Sequence, residues 1–165
     1  MGEAKTPGNY AASLLAAEKA LKEGYSQVLW LDGVEQKYVE EVGSMNIFFI
    51  INEELITPSL SGSILPGITR NTVISLAKIW GMKVTERKIS IGELIEAHES
   101  GILTEIFGSG TAAVISPVGE VKYGGKIITI GDGQVGPNAG KFFKAITDIQ
   151  YGRAEDPMEW IEPVT

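Results

Sequence analysis

Tyr38-Val39-Glu40-Glu41-Val42-Gly43-Ser44-Met45-Asn46-Ile47-Phe48-Phe49-Ile50 runs two acids straight into an apolar strand, with a glycine and an amide at the junction. A carboxylate at the mouth of a buried strand is costly unless something pairs with it. Gly43 lets the backbone bend or lets a ligand approach closely. Val42 and Ile47 to Ile50 read as core. The pattern leaves two readings of the glutamates open. Either both form a solvated pair leading into the strand, or one points inward and holds a cationic group. If the strand alternates strictly, only one of two adjacent side chains can point inward.

Outward from this stretch the chain reads as strands with interspersed helices. On the N-terminal side, Tyr10 to Lys22 predicts a helix with an Ala/Leu stripe, with Lys19 and Lys22 at its dipole-favoured end and Gly24 beyond. Gln27 to Leu31 predicts a short buried strand closed by the Asp32-Gly33 turn. On the C-terminal side, Asn52-Glu53-Glu54 turns the chain into Leu55-Ile56-Thr57 as a hairpin. Pro58 to Pro66 is loop, and Gly67-Ile68-Thr69-Arg70 opens a helix through Trp80, with Thr69 or its neighbour as the cap. Val84 to Ile89 alternates like a half-exposed strand. Ser90-Ile91-Gly92-Glu93 is a capping box for a helix ending near Gly101. Leu103 to Gly108 and Ala112 to Val121 are strands around a Gly-Ser-Gly-Thr turn, and a hairpin turns at Tyr123 to Lys126. Asn138 to Tyr151 is the last helix, with Phe142, Phe143, Ile146 and Ile149 on one side. The expectation is one domain over residues 1–165, in a mixed, barrel-like α/β arrangement.

Composition narrows the function. The chain has 165 residues, 21% charged and 44% apolar, with a net charge of −7. The acidic balance, without a Lys/Arg cluster, argues against nucleic acid or an anionic membrane as partner. The absence of cysteine excludes disulfides, thiolate metal sites and a thiol nucleophile, and His98 is the only histidine. No metal site is expected. No apolar run approaches membrane-spanning length and the N-terminus has no apolar signal core, so a cytoplasmic protein is the expectation.

Glu41-Val42-Gly43-Ser44-Met45-Asn46-Ile47-Phe48-Phe49 resembles the glutamate-bearing segment of the branched-chain amino acid aminotransferases, the fold-type IV pyridoxal phosphate enzymes. Further stretches resemble the same family in the same order: Lys5 to Tyr10, Gln27 to Gly33, Gly62 to Arg70, Phe107 to Ala113 and Ile149 to Gly152. The resemblance implies the large, cofactor-binding domain of the D-amino acid aminotransferase-like fold. It implies transamination of Leu, Ile and Val with 2-oxoglutarate or glutamate, and a homodimer. The family's chain begins with a smaller domain, which supplies an arginine for the cofactor phosphate and a covering loop, and this sequence starts almost at the lysine. The alternative is therefore an isolated, catalytically impaired domain of such an enzyme.

Carried over residue by residue, the resemblance gives Lys5 as the lysine that covalently holds pyridoxal 5'-phosphate. Alone, a lysine so near a terminus reads as a solvated tail. Pro7 departs from the small residue usual in the family there and fixes φ beside it. Tyr10 would hydrogen-bond the cofactor's phenolic oxygen, and Glu41 its pyridine nitrogen. Ile68 and Thr69 would give backbone amides to the phosphate at a helix N-terminus, and Thr111 a second phosphate contact. Amides around Thr111 and Ala112 would receive the substrate carboxylate. Ala113 and Ser116 stand where the animal mitochondrial enzymes carry a Cys-x-x-Cys pair, so thiol regulation of that kind is not expected.

Overall fold

A computed structural model describes residues 7–162 of the chain, apart from the side chain of Asn9. Its centre is strand β3, Met45–Ile51. One edge of β3 is shared by β2 (Val39–Val42) and β4 (Glu54–Thr57), both antiparallel to it. The other edge carries β6 (Leu103–Gly110), which pairs with β7 (Val114–Pro117). β1 (Leu29–Leu31) lies outside β2, and β5 (Val84–Glu86) lies parallel to β4, which completes a seven-stranded sheet. A parallel neighbour needs a crossover, and helix α3 (Ile68–Ile79) supplies it between β4 and β5.

β3 reads as an unbroken apolar run because both of its faces are covered. Ile47, Phe49 and Ile51 pack with Ile89, Leu94 and Ala97 on the side of helix α4 (Ile91–Glu99). Phe48 and Ile50 pack with Val73 and Leu76 of α3 and with Phe142 and Ile146 of helix α5 (Pro137–Gln150). The Phe48 and Phe107 rings stack at 5.3 Å, and Trp80 stacks on Phe142 at 4.9 Å. Side chains of this size each contribute roughly 1.5–3 kcal/mol on full burial, so the two layers around β3 carry much of the hydrophobic stabilisation. Phe143 does not join them: it is 46% exposed, because the apolar face of α5 is set by the 142, 146, 149 spacing.

The mixed α/β architecture is as expected, but the sheet is open and not a closed barrel. A single bridge between Tyr38 and Ser90 joins β2 to the segment after β5, with no ladder beyond it among the described residues. β5 itself stops at Glu86, short of the expected Ile89. The hairpin β8 (Glu120–Tyr123) and β9 (Lys126–Thr129) is a separate two-stranded sheet.

The first helix is two. α1 (Pro7–Ala11) and α2 (Ser13–Lys22) are broken at Ala12, where the Ser13 hydroxyl donates to the Tyr10 carbonyl at 2.6 Å. A serine hydroxyl that bonds locally competes with the helical ladder. Nothing on α2 is fully buried, so its expected stripe is uncovered at Leu14, Leu15 and Leu21. The Ser90 cap is half a capping box. Its hydroxyl accepts from the Glu93 N–H at 3.0 Å, while the Glu93 carboxylate turns away to Arg87. α3 has Gly67 as its N-cap with no side-chain bond, so Thr69 does not cap it.

Candidate functional site

Cross-strand partners share a face of a sheet. Trp30 faces Glu41, Glu41 faces Asn46, Asn46 faces Ser109 and Ser109 faces Ile115, a row across five strands at the end of β3 where α3 begins. Glu41 is half-buried in this row. Its Oε1 accepts from the Leu65 N–H at 3.2 Å and from Asn46 Nδ2 at 3.3 Å. Its Oε2 has no hydrogen-bond partner among the described residues. Burial pushes the Glu41 carboxyl up from its ordinary range, the Leu65 N–H works against this, and the charge of Glu40 adds to the rise. A carboxylate with one oxygen anchored and the other open, in a place that disfavours its charge, is poised for a cationic partner.

Glu40 does not point the opposite way, as strict alternation predicts. Leu31 pairs with Val39 and Trp30 with Glu41, so Glu40 is an extra residue in β2. Such a bulge lets Val39 and Val42 both reach the same core cluster. Both glutamates then grip the same loop, Glu40 through the Ser63 hydroxyl at 2.6 Å and Glu41 through Leu65.

That loop delivers the N-terminus of α3. The first helical bond runs from the Asn71 N–H to the Gly67 carbonyl at 3.1 Å, which leaves the N–H groups of Ile68, Thr69 and Arg70 without backbone partners among the described residues. No acid stands in the first turn to compete for them. Arg70, buried in that turn, directs its guanidinium to the Pro58 carbonyl at 2.9 Å and to Glu86 at 2.7 Å. Its charge is paired with Glu86, so it is the N–H groups of the first turn that favour an anion at this terminus.

Thr111 and Ala112 are exposed in the turn between β6 and β7, next to Gly110 and Ser109. They therefore sit at the same end of the sheet as Asn46. Tyr10 is half-buried on α1, and no described hydrogen bond joins it to Glu41, α3 or this turn. Lys5 lies outside the described residues. The structure thus brings together Glu41, Ile68 and Thr69, with Thr111 and Ala112 adjoining. Two residues of this neighbourhood had no role from the sequence. Asn46 is the one amide in an otherwise apolar strand, which is a legible signal. Ser109 Oγ is fully buried with no partner among the described residues, a fact that only the packing reveals.

Among the described residues the groups present fit a phosphorylated cofactor with a basic ring nitrogen: a carboxylate oxygen, three N–H groups at a helix start and a buried hydroxyl, each without a partner there. A cavity of about 710 Å³ lies on the other face of the sheet, between α2 and the β7–β8 segment, and is lined by Ala16, Glu23, Met45, Ser116 and Val118. Glu41 and α3 do not border it.

The family profile described as amino-transferase class IV matches residues 2–121. Branched-chain-amino-acid aminotransferase 2 of Bacillus subtilis (strain 168) is 58% identical over 163 residues, 99% of this chain and 45% of that protein. A probable branched-chain-amino-acid aminotransferase of Staphylococcus aureus (strain N315) is 59% identical over 97% of this chain and 45% of its own. Among solved structures, the Escherichia coli branched-chain amino acid aminotransferase superposes with a TM-score of 0.84 at 35% identity, over 99% of this chain and 51% of that one. The branched-chain aminotransferase of the thermophilic archaeon Thermoproteus uzoniensis, solved with norvaline, gives a TM-score of 0.79 at 34% identity, over 98% of this chain and 49% of that one. The chain spans under half the length of the curated relatives it matches.

Proposed function

Because this chain belongs to the amino-transferase class IV family, we propose that it is the pyridoxal phosphate-holding part of an enzyme that exchanges amino groups between Leu, Ile or Val and 2-oxoglutarate. The observation that carries the reading is the Glu41 carboxylate, anchored by one oxygen and open at the other, beside the free N–H groups of α3. Pyridoxal phosphate, when bound, supplies an electron sink for negative charge developing at the substrate's Cα. Glu41 would keep a proton on the ring nitrogen, since a negative partner favours the charged form. The amides of Ile68 and Thr69 would hold the phosphate, and Thr111 would add a second contact. The amides of Thr111 and Ala112 would orient the substrate carboxylate. Lys5 would hold the cofactor and move the proton at Cα, which is general acid–base work. Tyr10 would donate to the phenolic oxygen.

The single 1–165 domain, a cytoplasmic location and assembly into a homodimer belong to the same reading. Conversion of leucine and 2-oxoglutarate to glutamate, measured with added pyridoxal phosphate, tests it. Glu41→Gln is expected to cut any turnover by orders of magnitude, about the scale of losing a transition-state charge partner. Full activity of Glu41→Gln would contradict the assignment.

A further inference from the structure

We infer that Asn46 is a positioning residue that locks Glu41 and the start of α3 into one rigid unit. This rests on the reading of Glu41 and α3 as the two ends of a cofactor site. Leu65 is held at both of its backbone polar groups: its N–H by Glu41 Oε1 at 3.2 Å, and its carbonyl by Asn46 Nδ2 at 2.8 Å. Asn46 Nδ2 also donates to Glu41 Oε1 at 3.3 Å, so the three groups close a ring. A carbonyl and a carboxylate can only accept, which fixes the amide nitrogen as the atom that faces them. Asn46 Oδ1 then faces Gly67, where an added Cβ would collide with it. Gly67 is required there, because no side chain fits between the N-cap of α3 and Asn46.

The arrangement has a chemical consequence. The carboxylate that would meet the ring nitrogen and the N–H groups that would meet the phosphate contact opposite ends of one ligand. Their separation must match that ligand to within a fraction of an ångström. Neither could hold that spacing alone: Glu41 sits on a bulged strand, and α3 begins after the long Pro58 to Pro66 loop. Asn46, buried in the central strand, is the fixed point between them. It need not touch the ligand to act.

Hydrogen exchange on the whole chain without cofactor tests this directly. In Asn46→Asp, which keeps the shape and removes both donors, and in Asn46→Ala, the amides of Leu65, Gly67 and Asn71 should exchange at least about tenfold faster, with the β3–β6 amides unchanged. Gly67→Ala should reproduce that pattern by displacing Oδ1. Unchanged exchange at Leu65 and Gly67, or acceleration spread evenly through the sheet, would overturn the inference. A second arm compares the affinity for pyridoxal phosphate with that for pyridoxal. The phosphate's contribution should shrink severalfold in Asn46→Ala and persist in Glu41→Gln; persistence in both overturns the inference. If the unaltered chain binds neither compound, the cofactor reading fails, and the exchange arm alone decides the role of Asn46.

Discussion

Glu41 is held where its charge is disfavoured, and this has a measurable sign. A carboxyl whose folded pKa is raised adds stability below its ordinary value of 4.5 and loses it as the pH climbs through the folded value. At neutral pH the ionised group is therefore a cost that the fold carries. Glu41→Gln keeps an oxygen for the Leu65 N–H and removes that cost. The cofactor-free variant is expected to melt at a higher temperature than the parent near neutral pH, and to lose the difference in acid. Thermal melts across pH read this, and a Glu41→Gln variant less stable at neutral pH would contradict it. Asp32 behaves in the opposite way. The N–H groups of Tyr38, Lys37, Glu35 and Val34 hold its carboxyl well below the usual carboxylate range. Its contribution is present above pH 3.8 and is lost only as the pH falls towards the lower folded value. The 32–38 loop should accordingly stay ordered at acid pH in the parent, and loosen at neutral pH in Asp32→Ala. NMR or exchange at Tyr38 checks both.

Among the elements, α5 depends on a residue far from it in sequence. Glu105 on β6, buried, accepts from the Asn138 N–H at 3.0 Å, the Asn138 side chain at 2.6 Å and the Ala139 N–H at 2.9 Å. An anion on the first turn caps the helix and suits its dipole. Glu105→Ala leaves those donors buried and unmet, so unfolding in denaturant should show a loss of about 1–3 kcal/mol. A change under about 0.5 kcal/mol, the level of a neutral surface substitution, would mean that the cap contributes little. This contact was illegible in the sequence because its partners lie 34 residues apart. The β2 bulge was hidden for a related reason, since it exists only in the register with β1. By contrast, β3, its hairpin with β4 and the start of α3 were readable from local pattern alone. An unbroken apolar run, an Asn-Glu turn and a glycine before a helix each carry their own physics. Asn46 was visible as an amide among apolar residues, but its three contacts were not.

The whole molecule presents an acidic surface and an uncovered helix. Leu14, Leu15 and Leu21 on α2 are 70%, 63% and 65% exposed. Exposed apolar groups on one helix favour association, so this 165-residue chain is expected to self-associate with rising concentration, and Leu14→Ser with Leu15→Ser to do so less. Light scattering reads that directly, and a parent that stays monomeric at high concentration would contradict it. Lys5 is expected to carry pyridoxal phosphate, with Glu41 and the start of α3 receiving its two ends. Borohydride reduction of the chain mixed with pyridoxal phosphate, followed by peptide mapping, reads that attachment. Label is expected on Lys5, diminished in Glu41→Gln and in Asn46→Ala. Label on Lys19, Lys22 or Lys78 in place of Lys5, or label indifferent to both substitutions, would contradict it.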